Sequence, residues 1–125
     1  MHKQLEAYLH NVESALQSFD NIHFERYEEE VFAPDRLNLR IRIRFLSGHL
    51  LEINEAVIIK DDSLHHLNYR YHFQNADNQL VVRYDNTPHF PDPDHFPEHK
   101  HMPEKVLGAP RITIDDLVQE VTADL

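Results

Sequence analysis

A chain of 125 residues with a formal net charge of −10 and no cysteine is long enough for one domain, and it excludes disulfides, thiolate metal sites and a cysteine nucleophile. The strong negative charge argues against a protein that holds nucleic acid non-specifically through counterion release. No apolar run approaches the ~18 residues of a membrane span, so we expect a single cytoplasmic domain over residues 1–125 with no membrane contact.

The chain begins with an amphipathic pattern that predicts a helix over residues 3–18. Apolar side chains recur at intervals of three and four residues between Leu5 and Phe19, and this spacing gathers them on one helical face. An apolar face of this kind needs a partner surface, so we expect the helix to lie on a sheet.

Between residues 22 and 86 the hydrophobic period changes to two, which predicts an antiparallel sheet of about five strands. The clearest strand, residues 36–45, alternates apolar residues with arginines and one asparagine, so one face belongs to the core and the other is polar. The arginine row has two interpretations. It is either neutralised by acids on neighbouring strands, or it holds an RNA backbone or an acidic partner.

The hairpin after this strand predicts a charge-paired arginine row. A three-residue loop pairs Phe45 with Leu51 and thereby places Arg44 opposite Glu52. A tight turn on the other side of the strand places Glu25 opposite Arg44 as well. Cross-strand pairs of opposite charge contribute about 0.2 to 1 kcal/mol each.

The second hairpin, residues 66–74 and 79–86, gives the sharpest physical hint of function. A four-residue loop sets Arg70 directly across from Arg83. Two arginines that face each other repel. This register therefore implies either an intervening carboxylate, such as Asp85, or an unfilled anion site.

The last third of the chain has a proline-rich segment followed by an amphipathic segment. Residues 87–111 hold six of the seven prolines and show neither a helical nor a strand period, which predicts a long ordered loop, with Phe90 and Phe96 packed on the body. An amphipathic helix over 113–124 follows, with Thr113 as its N-cap. The predicted fold is α+β: an N-terminal helix, an antiparallel β-meander of about five strands, a long His/Pro-rich loop and a C-terminal helix.

Eleven histidines suggest a metal site, but their spacing does not support one. Pro97 separates His95 from His99 and argues against the shared helical face that such a pair would use, and there is no His-Glu-x-x-His motif. With two glycines in the chain, a glycine-rich phosphate loop is also excluded. We therefore expect no metal and no cofactor. The residues whose side chains could serve as metal ligands are Asp92, Asp94, His95, His99 and His101.

Imidazole, guanidinium and carboxyl groups near the second hairpin form the kind of set that metal-free RNA cleavage requires. The ribose 2′-hydroxyl is already positioned as the nucleophile, so the protein needs to supply only a base, an acid and cations for the phosphorane charge. Histidines suit the proton transfers, and arginine or lysine suits the anion. The candidate catalytic residues are His72, Arg83, Asp85, His89, His99 and His101, and the candidate phosphate-binding residues are Arg70, Arg83 and Lys100.

Three segments carry a family resemblance: Tyr-Arg-Tyr-His-Phe-Gln at 69–74, Val-Arg-Tyr-Asp-Asn-Thr-Pro-His at 82–89 and Phe-Pro-Glu-His-Lys-His at 96–101. With the closing amphipathic helix, they resemble the TumE family, formerly a domain of unknown function, whose members are toxins of toxin-antitoxin systems. The resemblance implies a toxin of a prokaryotic cytoplasm that a DNA-binding antitoxin protein neutralises. It implies no particular catalytic residue.

Three functions stay open on the sequence alone. The first is a toxin that cleaves RNA by metal-independent acid/base chemistry. The second is a non-enzymatic binding protein whose basic sheet face docks an acidic partner. The third is a metal-dependent nuclease that uses Asp85, Asp92 and Asp94.

Overall fold

The computed structural model describes residues 1–86 and 98–125, which form one antiparallel sheet with two helices on the same face. The strands follow one another in the sheet in the order of the sequence. No helix in these two ranges is long and apolar enough to cross a membrane. The elements are α1 (Lys3–Leu16), β1 (Ile22–Ala33), β2 (Arg36–Phe45), β3 (Leu50–Lys60), β4 (Ser63–Gln74), β5 (Leu80–Asp85), β6 (His99–Met102), β7 (Lys105–Gly108) and α2 (Ile114–Asp124).

The predicted α+β class is confirmed, and the sheet has seven strands where about five were expected. The additional strands, β6 and β7, lie in the second half of the segment that the proline content predicted to be a loop. Each has four residues, and β6 reads His-Lys-His-Met. Neither has the apolar alternation by which a half-buried strand is recognised, so periodicity could not reveal them.

The core lies between the helices and one face of the sheet. Leu9 and Val12 of α1 and Leu117 of α2 pack against the apolar side chains of β2 to β5, including Ile41 and Tyr71, as the alternation predicted. Thr113 is the N-cap of α2, as predicted, and its hydroxyl accepts a hydrogen bond of 3.1 Å from the backbone of Asp116. The other face of the sheet is polar, and we call it the open face.

The first hairpin differs from its predicted register by two residues. Ile43 pairs with Leu51, and Arg42, rather than Arg44, faces Glu52. The chain turns one step earlier than expected, because Gly48 adopts φ +92° and its amide donates to the Phe45 carbonyl at 2.9 Å. A two-residue shift keeps every side chain on its predicted face, so the core is unchanged while the partners on the open face change.

Two of the four arginines in the row, Arg42 and Arg44, are charge-paired, as one of the two interpretations predicted, but by a different route. A bulge in β1 between Phe24 and Arg26 leaves Glu25 outside the ladder. Its carboxylate accepts hydrogen bonds from Arg42 Nε at 2.8 Å and Arg44 Nε at 3.0 Å. These bonds, with Arg44 contributing most, lower the pKa of Glu25 to about 2.

The second hairpin also shifts by two residues, and the predicted facing of Arg70 with Arg83 is wrong. A bulge in β5 adds Val81 opposite the step from Phe73 to Gln74, and His72 faces Arg83 while Arg70 faces Asp85. Residues 80–82 are all apolar, so the alternation could not show where the extra residue lies. The predicted repulsive pair is therefore absent: Arg83 faces an imidazole, and Arg70 faces a carboxylate.

Candidate functional site

Strands β4, β5 and β6 bring most of the predicted site residues together on the open face. Directly paired residues of antiparallel strands share a face. The pairings create one row of His72, Arg83 and His101 beside a second row of Arg70, Asp85 and His99. We call these six residues the histidine-arginine cluster. The remaining catalytic candidate, His89, lies outside the described residues.

Lys100 is not part of this cluster, although it was predicted to bind phosphate with it. It pairs with Tyr84 and therefore lies on the helix side of the sheet. Its ammonium lies 3.7 Å from a carboxylate oxygen of Glu120 and 5.2 Å from the centre of the Tyr84 ring. The Tyr84 hydroxyl also donates to Glu120, at 2.7 Å. These contacts attach β5 and β6 to α2.

His72 positions the guanidinium of Arg83. Arg83 Nε and Nη2 lie 3.2 and 3.1 Å from His72 Nδ1, and His72 Nε2 lies 2.8 Å from Gln74 Oε1. Nδ1 must therefore accept, and the ring proton must lie on Nε2. Burial lowers the pKa of His72, and the positive charges of Arg83 and Arg70 lower it further against the opposing effect of Gln74. A neutral imidazole that holds an arginine is poorly placed to exchange protons itself.

Arg70 and Arg83 still create a positive field, although they do not face each other. Burial lowers the pKa of the Arg83 guanidinium, and the charge of Arg70 lowers it further, while Asp85 and Glu52 oppose the shift. A guanidinium keeps its charge through shifts of this kind. Two cations that destabilise each other in this way are each stabilised by an anion placed between them.

The second contact of the cluster joins Asp85 to His101. Asp85 Oδ2 lies 3.2 Å from His101 Nε2; the Asp85 residue is 2% exposed, and the His101 side chain is 14% exposed. A buried carboxylate beside a partly exposed imidazole fixes the orientation and the tautomer of the ring. His99 is 1% exposed, with its ring centre 6.2 Å from that of His101. His101 is thus the most exposed histidine of the cluster.

The donors that a metal site would need are not gathered in residues 1–86 and 98–125. No group of three or more His, Asp or Glu side chains there has a geometry that could hold an ion. Asp92 and Asp94, which the metal-dependent alternative invoked, lie outside the described residues, and so does His95, a further candidate ligand.

A buried carboxylate that the sequence reading missed lies on the helix side of the sheet. Glu55 of β3 is 3% exposed and accepts hydrogen bonds from the hydroxyls of Tyr8 and Tyr71. His66 Nε2 lies 3.3 Å from the same carboxylate, and Arg111 reaches the Tyr71 hydroxyl at 3.5 Å. The available signal was an acid at an apolar position of the β3 alternation. We call these five residues the Glu55 network.

The Glu55 network has strongly coupled charges. Burial alone would raise the pKa of Glu55, but interactions with His66 and hydrogen bonds from Tyr71 and Tyr8 outweigh it and hold the pKa below the ordinary value. Burial and the Glu55 charge raise the pKa of both tyrosines. The network joins α1, β3, β4 and the segment before α2, so it acts as a structural anchor for both helices.

The pKa of Glu55 implies a stability that depends on acid pH. Because the folded pKa lies below the unfolded value, this contribution is complete above the unfolded pKa, near 4.5, and is lost as pH falls through the folded pKa. We expect the stability difference between wild type and Glu55→Gln to be constant from pH 7 to about 5 and to shrink below that. Urea unfolding of both proteins across this range measures it, and a constant difference down to about pH 3 would contradict it.

The fold and the site define an α+β protein with a one-sided antiparallel sheet, whose open face carries a cluster of imidazole, guanidinium and carboxylate groups. The family model described as Toxin TumE matches residues 12–125, and the chain belongs to this family. Membership supports a toxin role, and a toxin family generally implies a cognate antitoxin partner. Comparison with curated proteins and with solved structures gives no match.

Proposed function

We propose that this TumE toxin cleaves RNA by metal-independent acid/base chemistry at the histidine-arginine cluster. The observation that carries the proposal is the Asp85 to His101 contact of 3.2 Å directly beside Arg83, which pairs with His101 across β5 and β6. An oriented imidazole next to a guanidinium supplies a proton-transfer group and an anion-binding group at one phosphate.

The reaction needs one bond to form and one to break. The ribose 2′-oxygen attacks phosphorus, and the bond to the 5′-oxygen of the next nucleotide breaks, which leaves a 2′,3′-cyclic phosphate and a 5′-hydroxyl. His101 exchanges a proton with one of these two oxygens, and Asp85 holds its ring. Arg83, held by His72, and Arg70 neutralise the phosphorane. His89 is the remaining candidate for the second proton transfer.

The cellular setting of the proposal follows from family membership. We propose that the protein acts in the cytoplasm and that its antitoxin partner is a DNA-binding protein. Neutralisation would then need only that the partner cover the open face, because His101 and Arg83 lie on that face.

Incubation of the purified protein with RNA, with and without EDTA, tests the proposal. Chelator-resistant cleavage that leaves 2′,3′-cyclic phosphate ends is the expected result. Cleavage that EDTA abolishes would overturn it in favour of a metal-dependent nuclease.

A second candidate function is a non-enzymatic binding protein whose open face docks an acidic partner. Within the described ranges Arg40 and Arg70 make no ion pair, so charge is available for such a contact. This alternative predicts toxicity in cells with no cleavage of purified RNA.

A further inference from the structure

The open face contains a polar depression beside the histidine-arginine cluster. Asn38, Ala56 and Asn68 lie in one row across β2, β3 and β4, and Asn54 lies in the next row between Arg40 and Arg70. The methyl side chain of Ala56 leaves a space of about 320 Å³ between the longer neighbours. This volume falls at the lower end of the range for small-ligand pockets. We call Asn38, Asn54, Ala56 and Asn68 the amide depression.

The three amides of the depression have unused hydrogen-bonding capacity. None of their side chains makes a hydrogen bond in the part of the chain that the structure describes, and the Asn38 side-chain oxygen is buried without a partner there. A buried acceptor without a donor is unfavourable, because it has lost its hydrogen bonds to water. The depression therefore has groups that a polar ligand would satisfy.

The arginines beside the depression differ in their ion pairing from those farther along the sheet. Arg42 and Arg44 are neutralised by Glu25, and Arg42 also holds Glu52, the carboxylate at the rim, at 3.3 Å. Arg40 and Arg70 have no ion pair within residues 1–86 and 98–125. Two cations without an ion pair in these ranges therefore flank Asn54.

The depression and the cluster form one continuous surface. Arg70 of the cluster lies directly beside the depression, because it pairs with Asn54 on β3 and with Asp85 on β5. Arg40 and Asp85 are three strand spacings apart, which is roughly 14 Å at about 4.8 Å for each spacing. A ligand with repeated phosphates is long enough to span the amide depression and the histidine-arginine cluster.

From this geometry we infer that the amide depression is a nucleotide subsite: it binds one base of a single-stranded RNA, with Arg40 and Arg70 on its phosphates. Side-chain amides match the donor and acceptor edges of bases, and unstacked bases of single strands expose these edges. The inference rests on the proposed function, because it extends the RNA from the cleavage cluster across the sheet. The inference specifies the place on the sheet where the RNA is held and the side chains that recognise it.

Binding of an RNA that cannot be cleaved tests the inference separately from catalysis. The probe is a fluorescein-labelled single strand of about 12 nucleotides, with every 2′-hydroxyl methylated, and binding is measured by fluorescence anisotropy at several salt concentrations. We expect Arg40→Gln to weaken binding about tenfold and to reduce the salt slope by about 0.7. Ala56→Leu, which fills the depression, should weaken binding about tenfold with an unchanged salt slope.

Arg44→Gln is the matched control, because it removes the same charge from the same face of the same strand. Arg44 is already bonded to Glu25, so we expect its loss to change binding less than about twofold. Equal weakening by Arg44→Gln and Arg40→Gln would overturn the inference, as would unchanged binding in both Arg40→Gln and Ala56→Leu. Displacement of the probe by an acidic peptide at the same concentration as by unlabelled RNA would also overturn it. Thermal unfolding confirms that each variant is folded.

Failure of this inference and failure of the proposed function give different results. If wild type cleaves RNA and Arg40→Gln and Ala56→Leu cleave and bind as wild type does, the proposed function stands and the nucleotide subsite is wrong. If the uncleavable RNA binds with the expected dependence on Arg40 and Ala56 but natural RNA is never cut, the subsite stands and the catalytic proposal is wrong. A wild type that does not bind the probe contradicts the subsite directly.

Discussion

Replacing His101 with alanine should lower the rate of RNA cleavage by about 10² to 10⁴-fold, the range typical for loss of a general acid or base. His101 is the histidine of the cluster that combines an oriented ring with a partly exposed side chain. His72 is occupied by Arg83, and His99 is buried. Single-turnover cleavage of a labelled RNA, with product ends identified, measures the effect.

Two further variants separate catalysis from folding. His65 is exposed on β4 and belongs to neither the cluster nor the depression, so His65→Ala should cleave at the wild-type rate. Asp85→Asn should lower kcat with little change in KM, because it leaves RNA binding intact and removes only the group that orients His101. Full activity of His101→Ala would refute the assignment of this histidine.

Replacing Glu55 with alanine should destabilise the protein by about 3 to 5 kcal/mol, the cost typical of breaking a buried charged network from one side. The change leaves the hydroxyls of Tyr8 and Tyr71 and the ring of His66 without their common acceptor. It also opens a space in the core between α1 and β3. Urea unfolding, with the midpoint and the slope both recorded, measures the loss.

Glu30→Ala is the matched control for this change, because Glu30 is an exposed acid on β1. We expect its effect on the free energy of unfolding to stay within about 0.5 kcal/mol. Tyr71→Phe should cost less than Glu55→Ala, and in the double variant the two losses should not add, since both remove the same contact. A loss below about 1 kcal/mol for Glu55→Ala would show that the network does not anchor the helices.

The sequence alone determined the elements with a strong apolar period. The stripe of α1, the alternation of β2 and the capped start of α2 each follow from where apolar side chains must lie to be buried. The same reasoning placed the arginines of β2 on a polar face and gathered His72, Arg83 and Asp85 on neighbouring strands. These predictions depend on the spacing of residues that are close together in the chain, and that spacing can be read directly from the sequence.

Only the tertiary structure decided which side chains meet across the strands. The bulges at Glu25 in β1 and at Val81 in β5 changed the pairing partners while the apolar side chains stayed on the core face, so Arg83 meets His72 instead of Arg70. The face on which Lys100 lies and the acceptor role of Glu55 were likewise decided by packing. A shift of two residues keeps the core the same and exchanges every polar partner, and burial therefore specifies a sheet far more strongly than it specifies a site.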